Sequence, residues 1–186
     1  MRSDALANRR DLVSAASGLL AEQGAGMSLR AVAQAAGVGV GTLYRHFPSR
    51  VDLLTAVLED VVERLTAHLE GFIEGDGPAA ERWLRLTRAL ADEDLANLLA
   101  TRDSLGPDEG PPPERMEEAE RVIMALTDRA VDLARRDGLV APGIRGLDYF
   151  TGLLIVTRAP LPALEVHLSG KRDWLVHVYL RGLRPD

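Results

Sequence analysis

Cysteine is absent from the 186 residues. The chain therefore cannot form disulfides, thiol nucleophiles or cysteine-based zinc and iron–sulfur sites. Long apolar runs are missing as well, since runs such as residues 152–156 are far too short to span a bilayer. Nothing at the start resembles a signal peptide, because residues 1–12 are polar and charged. These absences predict a cytoplasmic protein that has no membrane segment.

Helical periodicity dominates what remains. Apolar residues make up 46% of the chain, enough for a substantial core, and they recur at helical spacing with almost no strand signals. We predict an all-α fold of about nine helices, with glycine and proline marking the breaks. Outside the N-terminal region, helices are predicted near residues 78–90, 92–104, 114–137, 145–158 and 171–183.

Charge is distributed unevenly along the chain. The net charge is −6, yet residues 1–50 contain six arginines and three acidic residues, so this segment carries +3 and the remainder −9. A basic N-terminal segment followed by an acidic remainder is expected when a small DNA-binding domain is joined to a domain of another kind. A bias of three charges also arises by chance, so charge alone does not decide between these interpretations.

Capping signals divide residues 4–54 into four helices. After a first helix over residues 4–23, Ser28 begins a second helix that Gly37 ends. A short third helix covers residues 40–47 and stops at Pro48, after which Ser49 caps a long fourth helix. A short helix, a glycine turn and a second short helix form a helix-turn-helix unit, which commonly places its second helix in the major groove.

The third helix has two distinct faces at about 100° per residue. Leu43 and Phe47 lie on one face as core anchors, and the other face carries hydroxyl, guanidinium and imidazole groups. Arg45 has the geometry to pair with a guanine edge. Arg50, in the first turn of the fourth helix, is expected to clamp a phosphate at the positive end of that helix. The predicted DNA-contacting residues are Arg30, Gly39, Val40, Gly41, Thr42, Tyr44, Arg45, His46 and Arg50.

Three alternatives compete with DNA binding. The third helix alone also fits a solvated surface helix, although the surrounding caps and stops favour helix-turn-helix. Residues 37–41 look like a phosphate-cradling glycine loop, but that motif needs a preceding strand, and here a helix precedes. A helical protein-interaction module on a repurposed helix-turn-helix fold remains the main alternative. Catalysis is not expected, because the four histidines lack metal-ligand spacing and no nucleophile setting is recognisable.

The segment GVGVGTLYRHFPSRVDLL resembles the signature of the TetR family of bacterial transcriptional regulators. The resemblance is close over about the first 55 residues and extends to the rest only in helix length and order. Two positions depart from the pattern: Gly39 stands where the family often has a capping serine, and Arg50 where many members have lysine. The resemblance implies a DNA-binding domain at residues 1–49 and a ligand-binding and dimerisation domain at residues 50–186.

That resemblance further implies a homodimer, usually a repressor, that leaves a near-palindromic operator when an unknown small-molecule effector binds. No cofactor is expected. The candidate pocket residues are His68, Phe72, Trp83, Leu86, Leu90, Leu99, Met116, Ile123 and Met124. Residues 147–156 and 174–180 are apolar on nearly every side, which predicts that a second copy covers the last two helices. The candidate interface residues are Phe150, Leu153, Leu154, Trp174, Val178 and Tyr179.

Overall fold

A computed structural model describes residues 2–93, 95, 99, 104–106, 108–157 and 171–185. Over these residues the chain forms eight α-helices and no strand, which confirms the predicted all-α class. The helices are α1 Arg2–Gln23, α2 Leu29–Ala35, α3 Val40–His46, α4 Arg50–Ile73, α5 Ala79–Asp92, α6 Pro113–Arg136, α7 Gly146–Thr157 and α8 Arg172–Gly182. The helix predicted near residues 92–104 falls largely outside the described residues.

Helix α2 begins and ends where its capping residues predict. The Ser28 hydroxyl accepts a hydrogen bond from the Ala31 amide at 3.1 Å. At the other end Gly37 adopts φ +67°, a left-handed conformation that glycine reaches at little cost. Its amide donates to Gln34, and the Val38 amide donates to Ala33. These two bonds form a Schellman motif, which satisfies the last carbonyls of α2 and turns the chain toward α3.

Helix α4 starts with a capping box. The Asp52 carboxylate accepts bonds from the Ser49 amide at 2.9 Å and from the Ser49 hydroxyl at 2.7 Å. The Asp52 amide donates in return to the Ser49 hydroxyl at 3.1 Å. This reciprocal pairing satisfies amides that have no partner inside the helix. The chain can therefore leave α3 at Pro48 and re-enter a helix within two residues.

The chain divides into two compact units. The first comprises Met1–Val62 and Asn97–Ala119, and the second comprises Glu63–Ala96 and Glu120–Asp186. Helix α4 contributes its first half to one unit and its second half to the other, because no break interrupts its 24 residues. The boundary expected after residue 49 therefore does not coincide with the division by contacts.

Each unit has its own apolar core. In the first, α1, α2 and α3 bury side chains such as Leu12, Val32 and Leu43 completely. In the second, three aromatic rings pack in a row. The ring centroids of Phe72 and Trp83 are 5.1 Å apart, and those of Trp83 and Tyr149 are 4.7 Å apart. No helix in the part of the chain described above is long and apolar enough to cross a membrane.

Candidate nucleic-acid interface

Helix α3 is anchored by two buried side chains. Leu43 is completely buried and Phe47 is 2% exposed, as the helical pattern predicts. The guanidinium of Arg9 on α1 lies over the Phe47 ring, 5.1 Å from its centroid. This cation–π contact, together with apolar burial, ties the end of α3 to α1. The helix has only seven residues, so these tertiary contacts rather than its own propensity hold it in place.

The opposite face of α3 lies at the surface. Arg45 and Tyr44 are exposed, and Val40 is 37% exposed. Thr42 and His46 are half-buried at the edges of this face. The face therefore combines a guanidinium, two hydroxyls, an imidazole and a small apolar group, which is the mixture that reads base edges and phosphates in a major groove.

Three further predicted contact residues also lie at the surface. Gly39 and Gly41 are exposed at the start of α3, and a Cβ added at either would meet nothing within 4 Å. Gly39 caps α3 without a side-chain hydrogen bond, so the serine contact common in the family has no counterpart here. Arg30 is exposed on α2. All nine residues predicted to contact DNA, Arg50 included, are thus exposed or half-buried.

Arg50 differs from the other predicted DNA contacts. It is half-buried, and its guanidinium donates to the carbonyl of Met27 at 2.5 Å and to that of Ala25 at 2.9 Å. Two of the five N–H donors of this guanidinium are thus bound to backbone carbonyls, and the expected phosphate contact stays a prediction. Asp52 also places a carboxylate at the start of α4, which offsets the attraction of that helix end for anions.

The residues expected to line an effector pocket are divided between the two units. Leu99 and Met116 belong to the first unit, and Leu99 is 38% exposed. The other seven belong to the second unit. Five of these are buried core side chains, namely Phe72, Trp83, Leu86, Leu90 and Ile123. Met124 and His68 are half-buried.

His68 belongs to a polar cluster between α4 and α5. Its Nε2 atom lies 3.0 Å from a Glu93 carboxylate oxygen, and the Arg64 Nε atom lies 2.9 Å from the other oxygen. The Glu93 side chain is 11% exposed. A cavity of about 260 Å³ lies elsewhere in the second unit, between α5 and α8, and was not predicted. Its walls carry two ion pairs, Arg88 with Asp173 and Arg172 with Asp92.

The predicted dimer surface needs correction at Leu153, whereas Tyr179 is half-buried and its place in the interface stays a prediction. Leu153 is 2% exposed and belongs to the core of its own unit. The Tyr179 hydroxyl donates to the Tyr149 carbonyl at 2.6 Å, and the two rings stack. The Tyr179 side chain therefore joins α8 to α7 within one chain. Both helices look apolar on all sides in sequence, so periodicity did not separate the inner face from the outer one.

The outer face of α7 and α8 remains strongly apolar. Of the predicted interface residues, Trp174 is 60% exposed and Val178 is 45% exposed, while Phe150 and Leu154 are half-buried. Two exposed residues were not among the predicted interface residues: Leu147, which is 54% exposed, and Ile155, which is 69% exposed. No sequence signal separated these two residues from inward-facing neighbours, because α7 is apolar on nearly every side.

Comparisons with known proteins agree with this layout. Residues 12–57 match the family described as bacterial regulatory proteins, tetR family. The HTH-type transcriptional repressor KstR of Rhodococcus jostii is 36% identical over 107 residues, which is 55% of this chain and 50% of the repressor. The chain thus spans about half the length of the curated relatives it matches.

Two solved structures resemble nearly the whole chain. The TetR transcriptional regulator SCO0520 from Streptomyces coelicolor is 27% identical with a TM-score of 0.74, over 95% of this chain and 98% of that one. A TetR transcription regulatory protein from Mycobacterium vanbaalenii is 27% identical with a TM-score of 0.70, over 99% of both chains. The helix-turn-helix segment at residues 12–57 therefore matches the TetR family of bacterial regulatory proteins, and nearly the whole chain is similar in fold to TetR regulators.

Proposed function

We propose that this protein is a homodimeric, DNA-binding transcriptional repressor that a small-molecule effector releases from a near-palindromic operator. The observation that carries the proposal is the polar, exposed face of α3, held outward by the buried side chains of Leu43 and Phe47. This face lies within residues 12–57, the segment that matches the family.

Each subunit inserts α3 into a major groove in this proposal. Arg45 pairs with a guanine edge, and Thr42 contacts a base or a phosphate. Tyr44 and His46, which flank the face, position the helix on phosphate oxygens. Gly39 and Gly41 allow the backbone to approach the DNA closely, because no side chain separates them from it.

The second copy is proposed to cover the outer face of α7 and α8. Four large apolar side chains there are between 45% and 69% exposed. Large exposed apolar side chains on two neighbouring helices are typical of association surfaces, and dimer interfaces bury them. A two-fold dimer matches a palindromic operator, because each subunit then reads an equivalent half-site. The exposed residues are Leu147, Ile155, Trp174 and Val178.

The effector is proposed to bind inside the second unit. The indole Nε1 atom of Trp83 is buried and has no hydrogen-bond partner among the described residues. Unpaired N–H groups in a core are uncommon, so an effector that carries a hydrogen-bond acceptor would satisfy it. Since α4 runs without a break through both units, we propose that it transmits effector binding to the DNA-reading helices.

Fluorescence anisotropy tests the DNA-binding proposal. The purified protein is titrated onto duplex from the region flanking its own gene and onto scrambled duplex, across a salt series. We expect tight, sequence-selective binding that weakens as salt rises, with two subunits per site. Weak binding that is equal on both duplexes, repeated after selection from randomised duplexes, would contradict the proposal and favour a protein-interaction module.

Substitution of Arg45 tests the assignment of base readout. We expect Arg45→Ala to cost about 1–3 kcal/mol of binding free energy and to relax specificity at one base position. Arg136→Ala is the matched control, because Arg136 is an exposed arginine on α6 in the second unit. If Arg45→Ala left sequence discrimination unchanged, another residue would have to read the base.

A further inference from the structure

Arg50 is bound to backbone far from it in sequence. Its Nη1 atom donates to the carbonyl of Met27, 23 residues earlier, and its Nη2 atom donates to the carbonyl of Ala25, 25 residues earlier. A guanidinium presents donors in a rigid planar fork, so two such bonds fix both its position and its orientation. Hydrogen bonds from a charged donor are also stronger than neutral ones.

The two acceptor carbonyls lie in the link between α1 and α2. Ala25 belongs to a short 3₁₀ turn over Gly24–Gly26, and Met27 directly precedes the Ser28 cap of α2. The Met27 side chain is 1% exposed, so this link is itself held in the core of the first unit. Arg50 therefore joins the first turn of α4 to the point where α2, the first helix of the helix-turn-helix unit, begins.

The first turn of α4 is thus held on two sides. The capping box of Ser49 and Asp52 fixes it to the chain leaving α3, and Arg50 fixes it to the turn before α2. With both contacts in place, the start of α4 and the helix-turn-helix unit move as one body. Without the Arg50 contact, the three residues after α3 and the buried side chains of Leu53 and Leu54 would still hold the start of α4, but the polar contact to the turn before α2 would be lost.

We infer that Arg50 is a positioning residue, which locks the start of α4 to the α1–α2 turn and so sets the placement of the recognition helix α3. The inference rests on the proposed function and replaces the expected role of Arg50 as a phosphate contact. A lysine at this position would keep the charge but not the fork, because an ammonium is a single point donor.

The salt dependence of operator binding separates the two roles. Arg50→Lys and Arg50→Ala are compared with the wild-type protein and with Arg30→Ala, which removes an exposed arginine from α2. A positioning role predicts that both Arg50 variants weaken binding by about tenfold at every salt concentration. The slope of the logarithm of the binding constant against the logarithm of the salt concentration should not change. The control variant Arg30→Ala is expected to reduce the magnitude of this slope by roughly one, as the loss of one phosphate contact does.

The converse pattern would overturn the inference. If Arg50→Lys bound as tightly as wild type and Arg50→Ala lowered the slope by roughly one, Arg50 would be a phosphate contact. A second readout is the length of the operator spacer. A loosened recognition helix tolerates half-sites moved by one base pair, so both Arg50 variants should show a flatter spacer profile, whereas general destabilisation would weaken all spacers alike.

Hydrogen exchange tests the lock without DNA. In Arg50→Lys, amides in the first turns of α2 and α4 should exchange about tenfold faster, while those of α8 stay unchanged. Unchanged exchange in α2 and α4 would overturn the inference even if the wild-type protein proved not to bind DNA. Failure of the proposed function and failure of the positioning role are therefore distinguishable.

Discussion

Helix α3 and the helix pair α7–α8 expose opposite kinds of side chain. In α3 the buried residues are apolar and the exposed face carries arginine, tyrosine and threonine groups. In α7 and α8 the outer face carries large apolar groups, while tyrosine hydroxyls form hydrogen bonds inside. The first pattern suits a charged, hydrated partner such as DNA, and the second suits an apolar partner such as another copy of the chain.

The two regions also differ in the range of the hydrogen bonds that define them. The ends of α2, α3 and α4 depend on local caps, with partners three to five residues apart. The α7–α8 pair depends instead on contacts between distant residues, such as Thr87 with Tyr149 and Tyr149 with Tyr179. Local caps are visible in a sequence, whereas contacts between distant residues are not.

A charge on the outer face of α7 is expected to have the largest effect. Ile155→Asp should raise the dimer dissociation constant by about 100-fold or more, because an unpaired carboxylate would be buried at the interface. Ile155 is 69% exposed in the single chain, so the fold should persist. Analytical ultracentrifugation with circular dichroism measures both properties. Tyr44→Asp, on the exposed face of α3, is the control and should remain dimeric; an unaffected dimer in Ile155→Asp would place the interface elsewhere.

A methyl group at Gly152 is expected to have an intermediate effect. A Cβ there would lie 2.6 Å from the Tyr179 hydroxyl and 2.8 Å from its ring, which has no room to withdraw while it is bonded to Tyr149. Gly152→Ala should lower the free energy of unfolding by about 1–3 kcal/mol, measured by urea denaturation. In contrast, Gly18→Ala on α1 meets nothing within 4 Å and should raise it by about 0.5–1 kcal/mol. If both substitutions changed the free energy of unfolding equally, the packing around Gly152 would be no tighter than that around Gly18.

Removal of the Tyr149 hydroxyl is expected to have the smallest effect at neutral pH. Tyr149→Phe loses the 2.9 Å bond to Thr87, at a cost of about 1 kcal/mol. Thr87 keeps a partner, because its hydroxyl also lies 2.9 Å from the Trp83 carbonyl.

The same substitution has a distinct signature in alkali. Burial raises the pKa of Tyr149 above its usual range, so the folded state keeps this proton after the unfolded state has released it. Stability from the neutral hydroxyl is therefore complete below about pH 10 and falls as the pH rises further. Denaturation followed between pH 9 and 11.5 should show a shallower loss of stability in Tyr149→Phe than in wild type. Parallel curves would mean that Tyr149 does not control the alkaline transition.

Most of the helix boundaries could be predicted because their signals are local. Ser28, Gly37 and the Ser49–Asp52 pair all act where the sequence pattern places them. The anchoring of α3 by Leu43 and Phe47 was equally predictable, since a short helix with two large apolar residues on one face has one way to bury them. The inner face of α7 was not predictable, because Leu153 and Ile155 are equally apolar and only packing distinguishes them.

By itself, the sequence determined the helical class, the caps, the helix-turn-helix arrangement and the polar face of α3, because each follows from residues within one or two turns of each other. Only the tertiary structure decided which side of α7 and α8 stays exposed and where the guanidinium of Arg50 is used. The carbonyls that accept its hydrogen bonds lie 23 and 25 residues away, and backbone carbonyls carry no sequence signal. A residue's type states which bonds it is able to make, and the fold selects the partner.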